Sequence, residues 1–275
     1  MSSEFDKNEP DYDVVHKASD GVWTYLTNFL FDGLYPVGNR SIIYLIPHLQ
    51  SLVIVNPAEL SPGLIDQIKA LEVKTDAKVR YLLSPGDWHY LYIGAYLKYF
   101  KEATVYVPPG RIPSKEPDFA FQTYNTELSN PLPEFLPTLS VFTFRGMAAY
   151  QDPTSDRWEY LYYHYPSRSL TSGDSIYYSQ LPAEEAGIKL GRVYGHVRFH
   201  HWGWKTIKSV KACKWTIDTL LEKFGDVERY IPPHGKLGNM KIEGVKEDLL
   251  WIRDWLDRER PEGWEDVGTE FVEPK

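Results

Sequence analysis

The sequence has one cysteine, Cys213, in 275 residues. A single thiol closes no internal disulfide, so a cystine-stapled scaffold is excluded and a reducing compartment, the cytosol, is the expectation. No apolar run comes near the ~20 residues that span a bilayer, so no membrane association is expected. The first 13 residues lack a basic start followed by an apolar stretch, so no secretory leader is expected. Basic charge is also short: 30 Lys and Arg face 38 Asp and Glu, for a net charge of -8. Without a Lys/Arg cluster to neutralise phosphates, nucleic acid is excluded as a partner. GxGxxG, Walker A, GxSxG and CxxC patterns are all missing, which removes the sequence basis for nucleotide binding, serine hydrolysis and a zinc finger.

What the chain has in excess is aromatic residues, 15%, with 20 Tyr, 9 Trp and 12 Phe. Two readings stand: a core and surface rich in tyrosine, or an aromatic-lined pocket for a flat organic ligand. The remaining composition is ordinarily globular, 43% hydrophobic and 25% charged. Residues 1–17 are polar and without periodicity and read as a disordered tail. Residues 18–275 read as one domain.

Two β-branched runs, 41–46 and 51–55, flank Pro47-His48-Leu49-Gln50 and read as a hairpin. Ser61 before Pro62 caps a helix carried by Leu64, Ile65, Ile68 and Leu71. Strands follow at 79–83 and 104–107, with a helix over 91–100 between them. Residues 111–139 read as a long surface loop. The second half reads as strands at 139–144, 158–163, 169–171 and 227–231, with helices at 206–224 and 242–256. Each half goes from strands to helix to strand, which predicts an α+β fold: two sheets face to face with helices outside, a four-layer αββα sandwich.

Four loops at apparent strand ends carry candidate chemistry. Ser84-Pro-Gly-Asp-Trp-His-Tyr90 offers Asp87 and His89, a carboxylate and an imidazole suited to metal ligation or acid–base work. Ser172-Gly-Asp-Ser175 projects Asp174 after a glycine. Ile231-Pro-Pro-His-Gly235 places His234 at a strand end. His196-Val-Arg-Phe-His-His-Trp-Gly-Trp204 reads as a pocket rim or helix entrance; the adjacent His200 and His201 point apart, and His201 is the candidate taken. His164 ends an apolar strand, while His16 and His48 have no partner signal. For each loop the plainer alternative is a turn residue or a structural histidine.

The order of these loops resembles the metallo-β-lactamase fold superfamily. Ser84–Gly94 stands where that superfamily carries HxHxDH, Leu170-Thr-Ser-Gly-Asp-Ser175 resembles its strand ending in a bridging aspartate, and Ile231-Pro-Pro-His-Gly235 resembles its final histidine before a glycine. More closely, the chain is similar to a branch with an eroded metal motif, through Gly21-Val-Trp23, Gly38-Asn-Arg40, Asn56-Pro57, Ser84-Pro85 with His89, Val105–Gly110, His164–Leu170 and Asp174. These stretches run from about residue 21 to 236. The departures are as informative. The HxHxDH window retains only Asp87 and His89, and Arg145-Gly-Met147 stands where the resemblance implies a third histidine. Methionine is a poor zinc ligand.

The resemblance thus implies one zinc or iron ion on His89, Asp174 and His234, or no metal and an acid–base site from the same residues. Hydrolysis of a small, aromatic organic molecule is the implied reaction, with a lyase or isomerase step left open. Asp87 and His164 assist in this reading, and Trp88, Tyr90, His201, Trp202 and Trp204 line the pocket. The alternative is a small-molecule-binding protein that keeps the fold without catalysis.

Overall fold

The computed structural model describes residues 12–31, 35–36, 38–115, 117–149, 152–178, 197–199, 206–235, 241, 243–258, 271 and 273–274. Strand alternation sorts the side chains into three apolar layers. In β3 (Asn39–Ile46), Ile42, Tyr44 and Ile46 face one layer and Ile43 the opposite one. In β9 (Glu159–His164), Tyr160 and Tyr162 face that first layer, while Leu161 and Tyr163 face a third. Period-two alternation with both faces apolar is the signature of a sheet covered on both sides.

The first sheet has seven strands in sequence order: β1 (His16–Ser19), β2 (Val22–Thr27), β3, β4 (Ser51–Val55), β5 (Lys78–Leu83), β6 (Thr104–Val107) and β7 (Gln122–Thr123). The first four pair antiparallel and the last three join in parallel. The second sheet has four strands, β8 (Leu139–Phe144), β9, β10 (Ser169–Thr171) and β11 (Arg229–Ile231), the last pair parallel. Between the sheets lies a layer containing Val22, Ile42, Tyr44, Val55, Tyr160, Tyr162 and Ile231. Helices α1 (Pro62–Thr75) and α2 (Ile93–Leu97) cover the outer face of the first sheet, and α3 (Val210–Lys223) and α4 (Val245–Arg258) cover that of the second. The result is the αββα sandwich expected from the sequence.

Local chemistry sets the boundaries. The Ser61 hydroxyl accepts from Leu64 N at 3.3 Å and Pro62 opens α1. Helix α3 begins at Val210, not at 206, because Thr206 to Lys208 are held by strand-like bonds: Ala148 N donates to Thr206 O and Ile207 bridges Met147. The expected tail is corrected at its end, since residues 16–19 pair with β2 and Tyr12 bridges Leu26. Within the expected long loop, Arg111–Ser114 forms a helical turn and Pro133–Phe135 a 3-10 turn. Among the described residues, no helix is long and apolar enough to cross a membrane.

Candidate metal centre

The topology gathers the candidate loops on one edge. The C-terminal ends of β4, β5, β8, β10 and β11 lie there, as do the N-terminal ends of their antiparallel neighbours β3 and β9. Asn56 follows β4, His89 lies on the loop after β5, Asp174 follows β10 and His234 follows β11. One ligand atom from each of His89, Asp174 and His234 lies within 4.8 Å of the others. Asp174 Oδ1 is 3.2 Å from His89 Nε2 and 3.1 Å from His234 Nε2.

The other nitrogen of each ring fixes its tautomer. His234 Nδ1 is 2.7 Å from the Gly38 carbonyl oxygen, an acceptor, so Nδ1 carries the proton. His89 Nδ1 is 2.7 Å from Asn56 Oδ1. The Asn56 amide has one orientation, because its Nδ2 donates to the Arg40 carbonyl at 2.8 Å, as well as to Asn39 Oδ1. His89 Nδ1 is therefore also a donor. In the neutral rings both Nε2 atoms bear lone pairs, and both face the same carboxylate oxygen. His89 Nε2 is buried and, among the described residues, faces Asp174 without a well-aligned hydrogen bond. Three acceptors at one point repel one another unless a cation or a proton lies between them. A metal ion fits this donor set: two imidazoles and one carboxylate suit zinc or iron.

The surroundings are highly constrained. The fully buried Arg40 donates from Nη1 to the Pro232 carbonyl at 2.7 Å and the His234 carbonyl at 3.2 Å, and from Nη2 to Gly235 O at 3.4 Å. Arg40 N donates to Pro233 O at 2.7 Å. Gly235 turns the chain away at φ 99°, a conformation that favours glycine. Asp174 Oδ2 takes a hydrogen bond from Arg157 Nη2 at 3.3 Å, and the same nitrogen lies 3.2 Å from Glu159 Oε2. Glu159 also accepts from Ser175 N. Gly173 is needed for space: a Cβ there would sit 2.8 Å from the Glu159 side chain.

Electrostatics follow from burial and pairing. Burial alone would raise the Asp174 carboxyl, but His89 and His234 outweigh it and hold it well below the usual range. Burial pulls His234 down, and its contact with Asp174 more than reverses that, leaving it raised. Burial pushes Glu159 up to about 7, against the pull of Arg157 and with Asp174 adding to the rise.

The remaining candidates are placed differently. Asp87 is buried, and its charge acts on Arg157. Trp88 is exposed, with the Lys115 ammonium 5.9 Å from its ring centre. Tyr90 packs against the apolar layer between the first sheet and its helices, so its ring is committed to that layer. The expectation that His164 assists the centre is corrected. It ends β9 at the opposite edge from Glu159, about 16 Å away along the strand. There its Nδ1 meets Ser167 Oγ at 2.7 Å and its ring stacks on Tyr44. Met147 is buried among the side chains beneath α3 and lies outside the cluster. His201, Trp202 and Trp204 lie outside the described residues.

Sequence reasoning assigned no role to Arg40, Asn56, Arg157 or Glu159. Asn56-Pro57 directly after an apolar strand was a usable signal, since an asparagine there tolerates the left-handed φ of 55° it adopts. Arg157 and Glu159, a charged pair leading into an apolar strand, were another.

No protein-family profile matches the sequence, and no curated protein matches it. Solved structures do. A DIM-1 metallo-β-lactamase exposed to ceftazidime is 13% identical with a TM-score of 0.58, over 91% of this chain and 99% of that chain. The metallo-β-lactamase FIM-1 from Pseudomonas aeruginosa, in its mono-zinc form, gives 13% and 0.58 over 89% and 95%. A metallo-β-lactamase from Pontibacter korlensis gives 13% and 0.52 over 90% and 99%. The chain has the metallo-β-lactamase fold.

Proposed function

We propose that this protein is a metal-dependent hydrolase of small organic molecules, with one zinc or iron ion held by His89, Asp174 and His234. The observation that carries this reading is the convergence of two Nε2 lone pairs on Asp174 Oδ1, with both Nδ1 protons fixed by oxygen acceptors. When bound, such an ion lowers the pKa of a coordinated water and polarises a carbonyl. Three protein ligands leave a position open for that chemistry. Asn56 and Gly38 hold the imidazoles as neutral donors toward the ion. Arg157 takes the second Asp174 oxygen, which keeps Oδ1 directed at the two rings. Trp88, exposed beside His89, is suited to contact an aromatic substrate at the rim.

The metal-free reading keeps the same residues. Here the raised His234, paired with Asp174, holds the proton that the ion would replace. Elemental analysis of the purified protein, with a zinc titration after chelation, separates the two. One equivalent per chain is the expected result. Full activity after exhaustive chelation would establish the metal-free site instead, and two equivalents would contradict the three-ligand assignment.

A further inference from the structure

The two oxygens of Asp174 face different partners. Oδ1 meets the two imidazoles, and Oδ2 accepts from Arg157 Nη2 at 3.3 Å. Arg157 is buried two residues before β9, and its backbone N donates to the Met147 carbonyl at 2.9 Å, which pins it to the loop after β8. The same Nη2 lies 3.2 Å from Glu159 Oε2, without the alignment of a hydrogen bond. Arg157 Nε is buried with no hydrogen-bond partner among the described residues. Hydrogen bonding therefore explains little of why a guanidinium stands here. Charge explains more, since Glu159, Asp174 and Asp87 all act on it, and a buried charge needs such partners.

Glu159 is fully buried between the loops that carry His89 and Asp174. A Cβ on Gly86, three residues before His89, would meet Glu159 Cγ at 3.7 Å and Oε2 at 3.8 Å. One on Gly173 would meet Cγ and Cδ at 2.8 Å. Glycine at both places lets the two loops close over this carboxylate, and Ser175 N, on the far side of Asp174, donates to its Oε1. With Asp87, Glu159 and Asp174 ionised, one guanidinium leaves two negative charges, which a single divalent ion balances. Asp174 Oδ2 and Glu159 Oε2 both face Nη2. Two carboxylate oxygens about one point are also a donor set for a divalent cation.

We infer that Arg157 is the resident second cation of the centre: its guanidinium stands between Asp174 and Glu159 in the place of a second metal ion and limits the centre to one ion. A guanidinium does not give up its proton in a protein, so this charge is permanent. It also shares the Asp174 carboxylate with the ion, and a partner behind a ligand tunes the metal that the ligand holds. Arg157 is thus a positioning residue, and Glu159 is its counter-charge. The inference rests on the reading of His89, Asp174 and His234 as a metal centre.

Equilibrium dialysis of the full chain against excess zinc, followed by elemental analysis, tests it. Wild type should hold one equivalent and R157A two, because loss of the guanidinium opens a place between two carboxylate oxygens. R157K keeps the charge and should stay at one, and R157A/E159Q should fall back to one. If R157A does not fold, R157S carries the same expectation. Two equivalents in wild type, no gain in R157A, an equal gain in R157K, or a second equivalent that persists in R157A/E159Q would overturn the inference. Wild type without zinc, with R157A gaining one equivalent that R157A/E159Q loses, would uphold the place of the second cation and refute the centre on His89, Asp174 and His234.

Discussion

Asn56 Oδ1 accepts the His89 Nδ1 proton at 2.7 Å, and the same amide donates to the carbonyl of Arg40. A carboxamide held from behind in this way fixes the ring that it faces. Arg40 in turn grips the loop bearing His234. The short segment 38–40 therefore orients both imidazoles.

Replacing Asn56 with leucine removes the acceptor. Zinc affinity should fall about 10–100-fold, the usual cost of losing such a partner. N56D keeps an acceptor for His89 but loses the donors to Asn39 Oδ1 and the Arg40 carbonyl, so it should recover only part of the lost affinity. Competition titration against a chromophoric chelator reads both, and equal losses in the two variants would show that the oxygen has no such role.

Arg40 is buried under three carbonyl contacts. R40M leaves those oxygens without their donor, at about 1–3 kcal/mol for each buried group left unsatisfied. Urea unfolding should show a loss of several kcal/mol, only partly recovered in R40K, whose ammonium lacks the planar fork.

H234A and D174N should each lower bound metal below one equivalent, because each removes one of three ligands. D87N should leave the stoichiometry intact, since Asp87 lies outside the cluster of converging ligand atoms. Elemental analysis of the three variants checks this, and a D87N protein empty of metal would move Asp87 into the ligand set.

His164 makes the opposite kind of prediction. Burial lowers its pKa to about 4. A folded pKa below the unfolded value of ~6.5 means that the unfolded chain takes up the proton first as pH falls. The contribution of His164 to stability should therefore be lost from about pH 6.5 down to about 4, by about 3 kcal/mol at most, read as the difference between wild type and H164Q because the raised Glu159 acts in the opposite sense over this range. H164Q should lack that contribution while leaving zinc affinity unchanged. Denaturant midpoints across this pH range measure the difference.

The layers were legible in the sequence because alternation and capping are local signals. The hairpin at 41–55 and the Ser61-Pro62 start both follow from neighbouring residues. The three converging residues, His89, Asp174 and His234, were legible as polar residues after apolar strands. Their supports were not, because Arg40 reaches its partners across 192 to 195 positions of chain. Such contacts depend on how the sheets dock, which no local pattern encodes. His164 misled for the same reason: it shares the strand-end context of the three converging residues, and only the antiparallel register shows that it lies at the far edge.

The two halves of the chain divide the centre between them. Asn56, His89 and the 38–40 segment belong to the first sheet, whereas Asp174 and His234 belong to the second. Neither half alone offers more than two of the three converging side chains. Long-range closures of this kind form late, after local structure is in place. Convergence of His89, Asp174 and His234 is therefore a terminal event in the folding of the chain. A nascent polypeptide emerging from the ribosome has no complete cluster until most of its length has been synthesised, since His234 lies near the end of the chain.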